Sequence, residues 1–568
     1  MTGGSLTDAL ILACQRGFNR GRGQQQLEAK WLYNCLFMFI SKRLELKTVS
    51  IASCTLSLLP CRGCNRGARI RAMATVDVDQ RASRARATAE SNGQGHVFEH
   101  WDLLTESEKN RLLTDLEGLD YGYLSRVFSA SMATTSGPSF EGVQPVTDVV
   151  QLKDTTPAQT AEWIQHGYQL IAEGRAAVLL LAGGQGTRLG SSLPKGCYDI
   201  GLPSHKCLFQ LQAERLLRLQ RLAAAAAGIS TSAVKPLRWY IMTSTFTHAD
   251  TLAHFEAHNF FGLAREQVTF FQQGFLPCFT EDGRLILETR GSLAMAPDGN
   301  GGVYLSLARS GILDAMTAAG IECLDCYCVD NSLARLGDPR FIGYCHGVAK
   351  ADVGARVVAK AYPEEKVGVF ALRRAATVST TAADTAHPGF LTVLEYSELD
   401  PKLATATDSS TGQLYFNWSN ICMHYFSVKW LRSVATQLLA GGNTPYHVAR
   451  KRIPSVTGSV PGIKLELFIF DIFPLAGDKT ALVQVDRRED FAPVKNAPGS
   501  AVDSPNTARS ALLSLHASWV RAAGGEVTCD EGVEVSPLVS YAGEGLESIV
   551  LGKTYSNLLV PELLHPPP

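Results

Sequence analysis

Apolar positions first recur at helical spacing from Val97 onward, where Phe98, Trp101, Leu103, Leu104, Leu112, Leu113, Leu116 and Leu119 share a periodic face. Thr105-Glu-Ser-Glu108 within that stretch is a capping box. The pattern predicts two helices, an accessory helical segment over residues 97–150. Residues 74–96, with hardly an aliphatic side chain among Ala, Arg, Thr, Ser and Gly, predict a disordered linker. Beyond a Ser-, Thr-, Gly- and Pro-rich loop near 130–147 the pattern changes. A helix from Thr160 leads into the unbroken apolar run Ala176–Leu181, and further runs at Trp239–Thr243, Val268–Gln272 and 323–329 are separated by helical stretches that include 207–227 and 303–319. Short, wholly apolar runs alternating with helices mark strands covered on both faces. Residues 151–497 are therefore expected to form an α/β domain with a Rossmann-like mixed, mostly parallel sheet. From 498 the pattern becomes one helix, 508–523, followed by turn-punctuated strands at 533–541 and 548–551, read as a small C-terminal β-rich module over 498–568.

Composition adds little until it is divided along the chain. The 568 residues are 45% hydrophobic and 19% charged, as in ordinary globular proteins. The net charge of −1 averages two unlike parts: residues 1–72 hold 11 Lys and Arg against three acids, a balance of +8, leaving −9 for the remainder. An acidic body lacks the footprint of a nucleic-acid binder. The longest apolar run of the leader, 31–40, is about half of the ~20 residues that cross a bilayer, and Asn34 interrupts it, so no membrane span is expected. Residues 1–96 read as a basic leader plus linker. The leader is Arg-rich and acid-poor like an organellar transit peptide, while Met73 offers a second start to translation. The corresponding locations are an organelle and the cytoplasm.

Fourteen cysteines without a secretory signal are expected to be reduced thiols. Cys61 and Cys64 form a C-x-x-C with no second pair at zinc spacing. Cys323, Cys326 and Cys328 lie in an apolar run and read as small core residues, with Cys326 and Cys328 on one face.

The chemistry concentrates after the run 176–181, in AGGQGTRLGSSLPKG. Glycines at 183, 184, 186 and 190 permit positive φ and close approach of backbone N–H groups to an anion, and Arg188 and Lys195 add two cations. The loop is neither a Walker A sequence nor G-x-G-x-x-G. Gln273 follows another predicted strand and has an amide suited to the donor and acceptor edge of a pyrimidine. In 298–302 (DGNGG) a tight turn opens a helix, with backbone N–H groups expected to point outward. Asp330 ends a strand, where α/β sheets put ligand-binding groups; it reads as a Mg²⁺-binding carboxylate or as a helix N-cap before Asn331.

These stretches, in order, resemble the eukaryotic UDP-N-acetylhexosamine (UDP-N-acetylglucosamine) pyrophosphorylases. The resemblance runs through LAGGQGTRLG and PKG, FFQQGFLPCF, MAPDGNGGVY, YCVDN, DPRFIGYC, VLEYSEL, SNI, GIKLELFIFDIF, VKNA and SYAGEGLE, from about Val97 to the C-terminus. It implies a glycosyltransferase-A-like nucleotidyltransferase core, and transfer of uridylyl from UTP to an N-acetylhexosamine 1-phosphate, giving UDP-GlcNAc and pyrophosphate with Mg²⁺ (or Mn²⁺). A homodimer is also expected. It assigns Gly183, Gly184, Gly186, Lys195, Gln273, Gly299, Asp330 and Lys464 to UTP, with Arg188 and Lys195 stabilising charge in catalysis and Asp330 on the metal. Asn300, Glu395, Tyr396, Asn420, Phe468, Phe470 and Lys495 fall to the sugar phosphate; Phe468 and Phe470 alternate along a predicted strand, so core and pocket are both open for them. Two departures from the family pattern bear on the sugar: Ser419 stands where Gly is usual, and residues 373–390 read as a polar surface insertion.

Overall fold

The computed structural model describes residues 66–133, 142–373, 389–396, 398–440, 446–558 and 560–564. Cys61 and Cys64, most of the leader and most of the 373–390 stretch lie outside them. The chain divides into residues 1–73 and 74–568, and apart from the first residues of one helix everything below concerns the second unit.

Its centre is an eleven-stranded sheet. The strands are β1 (Val143–Pro145), β2 (Val150–Gln151), β3 (Ala176–Leu181), β4 (Trp239–Thr243), β5 (Val268–Gln272), β6 (Cys323–Cys328), β7 (Val353–Ala359), β8 (Val369–Arg373), β9 (Phe390–Leu394), β10 (Trp418–Ser427) and β11 (Thr480–Gln484). Along the path β2-β11-β7-β10-β6-β3-β4-β5, β10 runs antiparallel to both neighbours and the other pairings are parallel. β8 joins the sheet through β10, with β1 and β9 on its edges. The mixed, mostly parallel sheet expected from the apolar runs is what forms. In β3 the period-2 geometry sends Ala177, Leu179 and Leu181 into one core layer and Ala176, Val178 and Leu180 into another, so both faces are covered.

The helices follow the pattern with instructive exceptions. Glu106–Glu117 (α2) carries the predicted capping box, Thr105 N–H donating to Glu108 Oε2 at 2.8 Å, and Tyr121–Ala133 (α3) follows it. Residues 74–96 are not a linker: Arg66–Ser91 is a helix (α1) whose Val78, Ala82, Ala85 and Ala89 are buried. Ala and Arg are strong helix formers, and small alanines let a helix lie close against its support without aliphatic residues. Pro157–Ala172 (α4) and Leu208–Ala227 (α5) lie near their expected places. The stretch 303–319 breaks into α6 (Val303–Arg309) and α7 (Ile312–Ala318) at Gly311, whose φ of +72° cannot continue a helix.

The C-terminal part is not a separate β-rich module. Pro505–Ala522 (α8) packs Ala508, Leu512 and Leu515 against Leu208 and Leu211 of α5, and residues 74–568 form one compact unit. Residues 533–541 make no strand and 548–551 lie largely in the short helix Glu547–Val550; only Glu526–Val527 and Thr554–Tyr555 pair here.

Candidate active site

The parallel strands β6, β3, β4 and β5 bring their C-terminal ends to one edge of the sheet, and antiparallel β10 brings its N-terminal half there. Asn420, Asp330, the Gly-rich loop, Ser244 and Gln273 therefore stand in that order along the edge, each positioned by its own strand.

After β3 the Gly-rich loop folds back on itself: Gly186 N–H donates to Leu193 O (3.2 Å), Gln185 bridges Pro194, and Lys195 N–H donates to Gly184 O (3.2 Å). The return carries Lys195 beside the first glycines. Of the four loop glycines only Gly190 has positive φ. Gly186 is required by proximity instead, since a Cβ there would lie 2.7 Å from Leu193 O. At Gly183 a Cβ would lie 3.0 Å from Gln273 Oε1, whereas Gly184 faces open space. Arg188 is exposed on the turn Thr187–Leu189, with no ion pair among the described residues.

Gln273 donates from its backbone to Thr243 O (2.7 Å) and from Nε2 to Gly299 O (2.6 Å), so Gly183, Gln273 and Gly299 close on one another. Gly299 has φ +92°, and a Cβ on it would collide with Leu467 O. The amides of the following turn do not point outward as expected: Gly301 N–H donates to Leu467 O (2.8 Å) and Gly302 N–H to Gly299 O (3.1 Å). Asn300 Oδ1 accepts from Ile469 N–H at 3.0 Å. The turn is thus clamped to residues 467–469. Two side chains here escaped the sequence reading. Ser244 Oγ donates to Gly183 O at 3.0 Å, a lone serine that nothing in the sequence distinguishes. Asp298, 3% exposed, is pushed up to about 6 by burial, against the pull of the Gln273 amide; its place at the head of DGNGG was the signal available.

Asp330 caps no helix. Its Oδ2 faces Lys195 Nζ at 3.6 Å, and its carbonyl accepts from Val494 N–H at 2.9 Å, which fixes Lys495 alongside. The Lys495 ammonium sits over the Phe491 ring (5.8 Å) and acts on both Glu395 and Cys328. Lys464 pairs with Glu466 at 2.6 Å and acts on Asp298.

On the far side, Asn420 N–H donates to Gly368 O (2.8 Å), and a Cβ on Gly368 would lie 3.0 Å from Glu395 Oε1. Burial, then repulsion from Glu398, raises the Glu395 carboxyl. Next to it His447 bonds Asp471 (2.9 Å) and faces Glu398 (3.6 Å); burial lowers its affinity for a proton, yet the two carboxylates outweigh that and raise it to about 10. Phe468 lies against the His447 ring at 4.3 Å between centroids. Phe470 is core, and the two do not alternate on a strand, because Ile469–Ala476 is a 3-10 stretch in which successive side chains turn by about a third of a circle. Tyr396 is exposed. Ser419 faces the core, wholly buried and, among the described residues, with no hydrogen-bond partner on Oγ.

A Gly-rich loop, a glutamine and a lysine–aspartate pair at the switch edge of a doubly covered sheet define a nucleotide-binding α/β protein of the nucleotidyltransferase type. The profile of the UTP--glucose-1-phosphate uridylyltransferase family matches residues 139–543, and the chain belongs to that family. It is 49% identical over 472 residues to the UDP-N-acetylglucosamine diphosphorylase 2 of Arabidopsis thaliana, covering 82% of this chain and 90% of that protein. With the UDP-N-acetylglucosamine pyrophosphorylase of Saccharomyces cerevisiae it shares 39% over 490 residues, covering 82% and 96%. The crystal structure of the uridine diphosphate N-acetylglucosamine pyrophosphorylase of Trypanosoma brucei in complex with inhibitor superposes with a TM-score of 0.71 at 31% identity, covering 84% and 94%.

Proposed function

We propose that the protein is a UDP-N-acetylglucosamine pyrophosphorylase: an oxygen of N-acetylglucosamine 1-phosphate attacks the α-phosphorus of UTP and the bond to pyrophosphate breaks. N-acetylgalactosamine 1-phosphate is a second acceptor. The observation that carries this reading is the ordering along the sheet edge, with the Lys195–Asp330 pair between the Gly183–Gln273–Gly299 cluster and the Glu395–Asn420 cluster. Reacting phosphates need cations, and nucleoside and sugar need separate recognition on either side.

In this reading Gly183, Gly184 and Gly186 cradle the triphosphate, Gln273 and Gly299 hold the uridine, and Lys464 meets the nucleotide. Lys195 and exposed Arg188 offset charge on the α-phosphate and the departing pyrophosphate. Glu395, Asn300 and Asn420 hold the sugar and Lys495 its phosphate, with Phe468 as an apolar wall; Tyr396 closes on the sugar only if it moves inward. Asp330 would hold Mg²⁺ or Mn²⁺ through a partly exposed carboxylate. Among the described residues no cluster of three or more metal-ligating side chains occurs, and Mg²⁺ takes one or two carboxylates plus phosphate and water oxygens. When bound, the cation supplies charge neutralisation for the phosphates.

No helix among the described residues is long and apolar enough to cross a membrane. For compartment we favour the cytoplasm over an organelle, which N-terminal sequencing of the native protein tests; sedimentation tests the homodimer.

The direct experiment measures pyrophosphate release by the full chain from UTP with N-acetylglucosamine, N-acetylgalactosamine and glucose 1-phosphates. The highest kcat/KM is expected with N-acetylglucosamine 1-phosphate, and no activity after chelation until Mg²⁺ or Mn²⁺ is restored. Preference for glucose 1-phosphate, which the family's description names, would point to a broader UDP-sugar pyrophosphorylase. Binding of UDP-GlcNAc without turnover of any hexose phosphate would make the protein a sensor instead.

A further inference from the structure

Cys328 closes β6, and Cys422 lies across from it on β10, one step beyond the paired Tyr327 and Met423. The two sulfurs are 3.1 Å apart, both thiols are free, and both residues are half-buried. A disulfide bond is about 2.05 Å long, so closing it asks for about 1 Å of approach. Cys422 is also where β10 is irregular. Its φ is +54°, an uncommon conformation for a residue with a side chain, and the β7–β10 register shifts beside it between Ala355 and Val357. This backbone turn presents Cys422 to Cys328 while its N–H donates to Asn420 Oδ1 at 2.9 Å. On the other strand Cys328 stands two residues before Asp330 and within the field of Lys495. The thiols therefore join the strand end that carries Asp330 to the one that carries Asn420.

We propose that Cys328 and Cys422 form a reversible dithiol–disulfide site that ties the strand end carrying Asp330 to the one carrying Asn420. Their roles follow from the hydrogen bond between them. Cys328 S–H donates to the Cys422 sulfur at 3.1 Å. Cys422, the acceptor of that hydrogen bond, reacts first and Cys328 resolves the mixed disulfide. The Cys422 thiolate attacks one sulfur of a low-molecular-weight disulfide such as oxidised glutathione, breaking its S–S bond and expelling one thiolate. Cys328 then loses its proton and attacks Cys422 Sγ, expelling the second thiolate and leaving the 328–422 bond. Two protein thiols are oxidised, one small disulfide is reduced to two thiols, and the two protein protons pass to the departing thiolates. Drawing Cys422 toward β6 moves the amide that holds the Asn420 carboxamide, so oxidation weakens acceptor binding. This consequence rests on the proposed function; the bond itself does not.

The test equilibrates the full chain in glutathione buffers of graded redox poise, alkylates and digests it, and searches by mass spectrometry for the peptide pair linking 328 to 422. KM for N-acetylglucosamine 1-phosphate is measured in parallel. The linked peptide is expected under oxidising poise, with KM raised at least about tenfold, as a displacement near 1 Å can do, and both reversed by dithiothreitol. Cys422→Ala and Cys328→Ala should each keep the reduced enzyme's kinetics and lose its sensitivity to oxidation. Absence of the linked peptide at every poise overturns the proposal, as does equal oxidative loss in both variants. A linked peptide with unchanged KM overturns the coupling to the acceptor. If the reduced chain turns over no hexose phosphate, the functional reading fails while the peptide result still decides whether the bond forms.

Discussion

Lys195 and Asp330 face each other at 3.6 Å with side chains 16% and 20% exposed. That separation is too long for a hydrogen bond, so the two are charged neighbours rather than a bonded pair. In the proposed reaction the value of this arrangement lies in holding an ammonium at this edge of the sheet, beside the phosphates. Lys195→Ala should therefore lower kcat about 10²- to 10³-fold, the usual cost of removing one charge-stabilising group, while Tm stays within a few degrees of the parent. Steady-state kinetics beside a thermal melt checks this, and a near-parental kcat would remove Lys195 from the chemistry. At this scale the sequence was informative about residue type and less so about cause. The loop glycines were visible, but Gly186 is needed for close packing against the Leu193 carbonyl rather than for positive φ, and Gly183 lies against only the movable end of Gln273. Ser244 was missed because its partner, Gly183 O, comes from a segment distant in the chain, and Asp298 because the Gly274 backbone it packs against belongs to an earlier segment.

Elements were legible where one apolar period ruled the whole segment. β3 and β4 are fully buried, and their short apolar runs between longer helical stretches favoured strands by length. Residues 533–541 alternate like a strand but satisfy their backbone elsewhere: Val535 N–H donates to His516 Nδ1, Glu534 N–H to Leu558 O and Ser536 N–H to Leu563 O. A segment whose N–H groups are anchored to a helix side chain and to carbonyls of residues 558 and 563 has a strand's pattern without its ladder. The hairpin of His447–Ser455 and Gly458–Glu466 was not foreseen either, and it brings His447 to Asp471 and Glu398. Because folding raises this imidazole to about 10, from an ordinary value near 6.5, its contribution is fully present below about pH 6.5 and is lost as pH rises through about 10. The Tm difference between the parent and His447→Gln should therefore be widest near pH 6 and shrink steadily toward pH 10. A difference that stays constant across that range would show that the imidazolium does not hold the hairpin.

Taken as a whole molecule, the acidic balance of residues 73–568 says little about the proposed polyanion site, since Lys195, Lys464 and Lys495 would act locally there. The N-terminal helix matters more than its composition implied. Within residues 74–568 it buries Val78, Ala82, Ala85 and Ala89, pairs Arg81 with Glu117 at 2.8 Å and sets Arg86 over the Phe98 ring at 4.6 Å. Just after it, Gln94 donates to Gly283 O (3.1 Å) and accepts from Leu285 N–H (2.9 Å), while Asp115 of α2 accepts from Leu293 N–H (3.1 Å). These contacts brace residues 283–293, which lead through the pairing of Phe275–Pro277 with Met295–Pro297 into the Asp298–Gly302 turn that meets Gln273. A chain beginning at Gly95 loses the helix and Gln94 but keeps every residue assigned to substrate; one beginning at Ala74 keeps the brace. Burial of Val78 alone is worth about 2 kcal/mol, so the shorter chain should melt several degrees lower. Its KM for UTP should also rise, because the turn that carries Gly299 loses support, while KM for the sugar phosphate changes little, since Glu395 and Asn420 are held by β9 and β10. Equal rises in both constants would mean that the helix stabilises the fold at large and has no particular hold on the nucleotide end of the site.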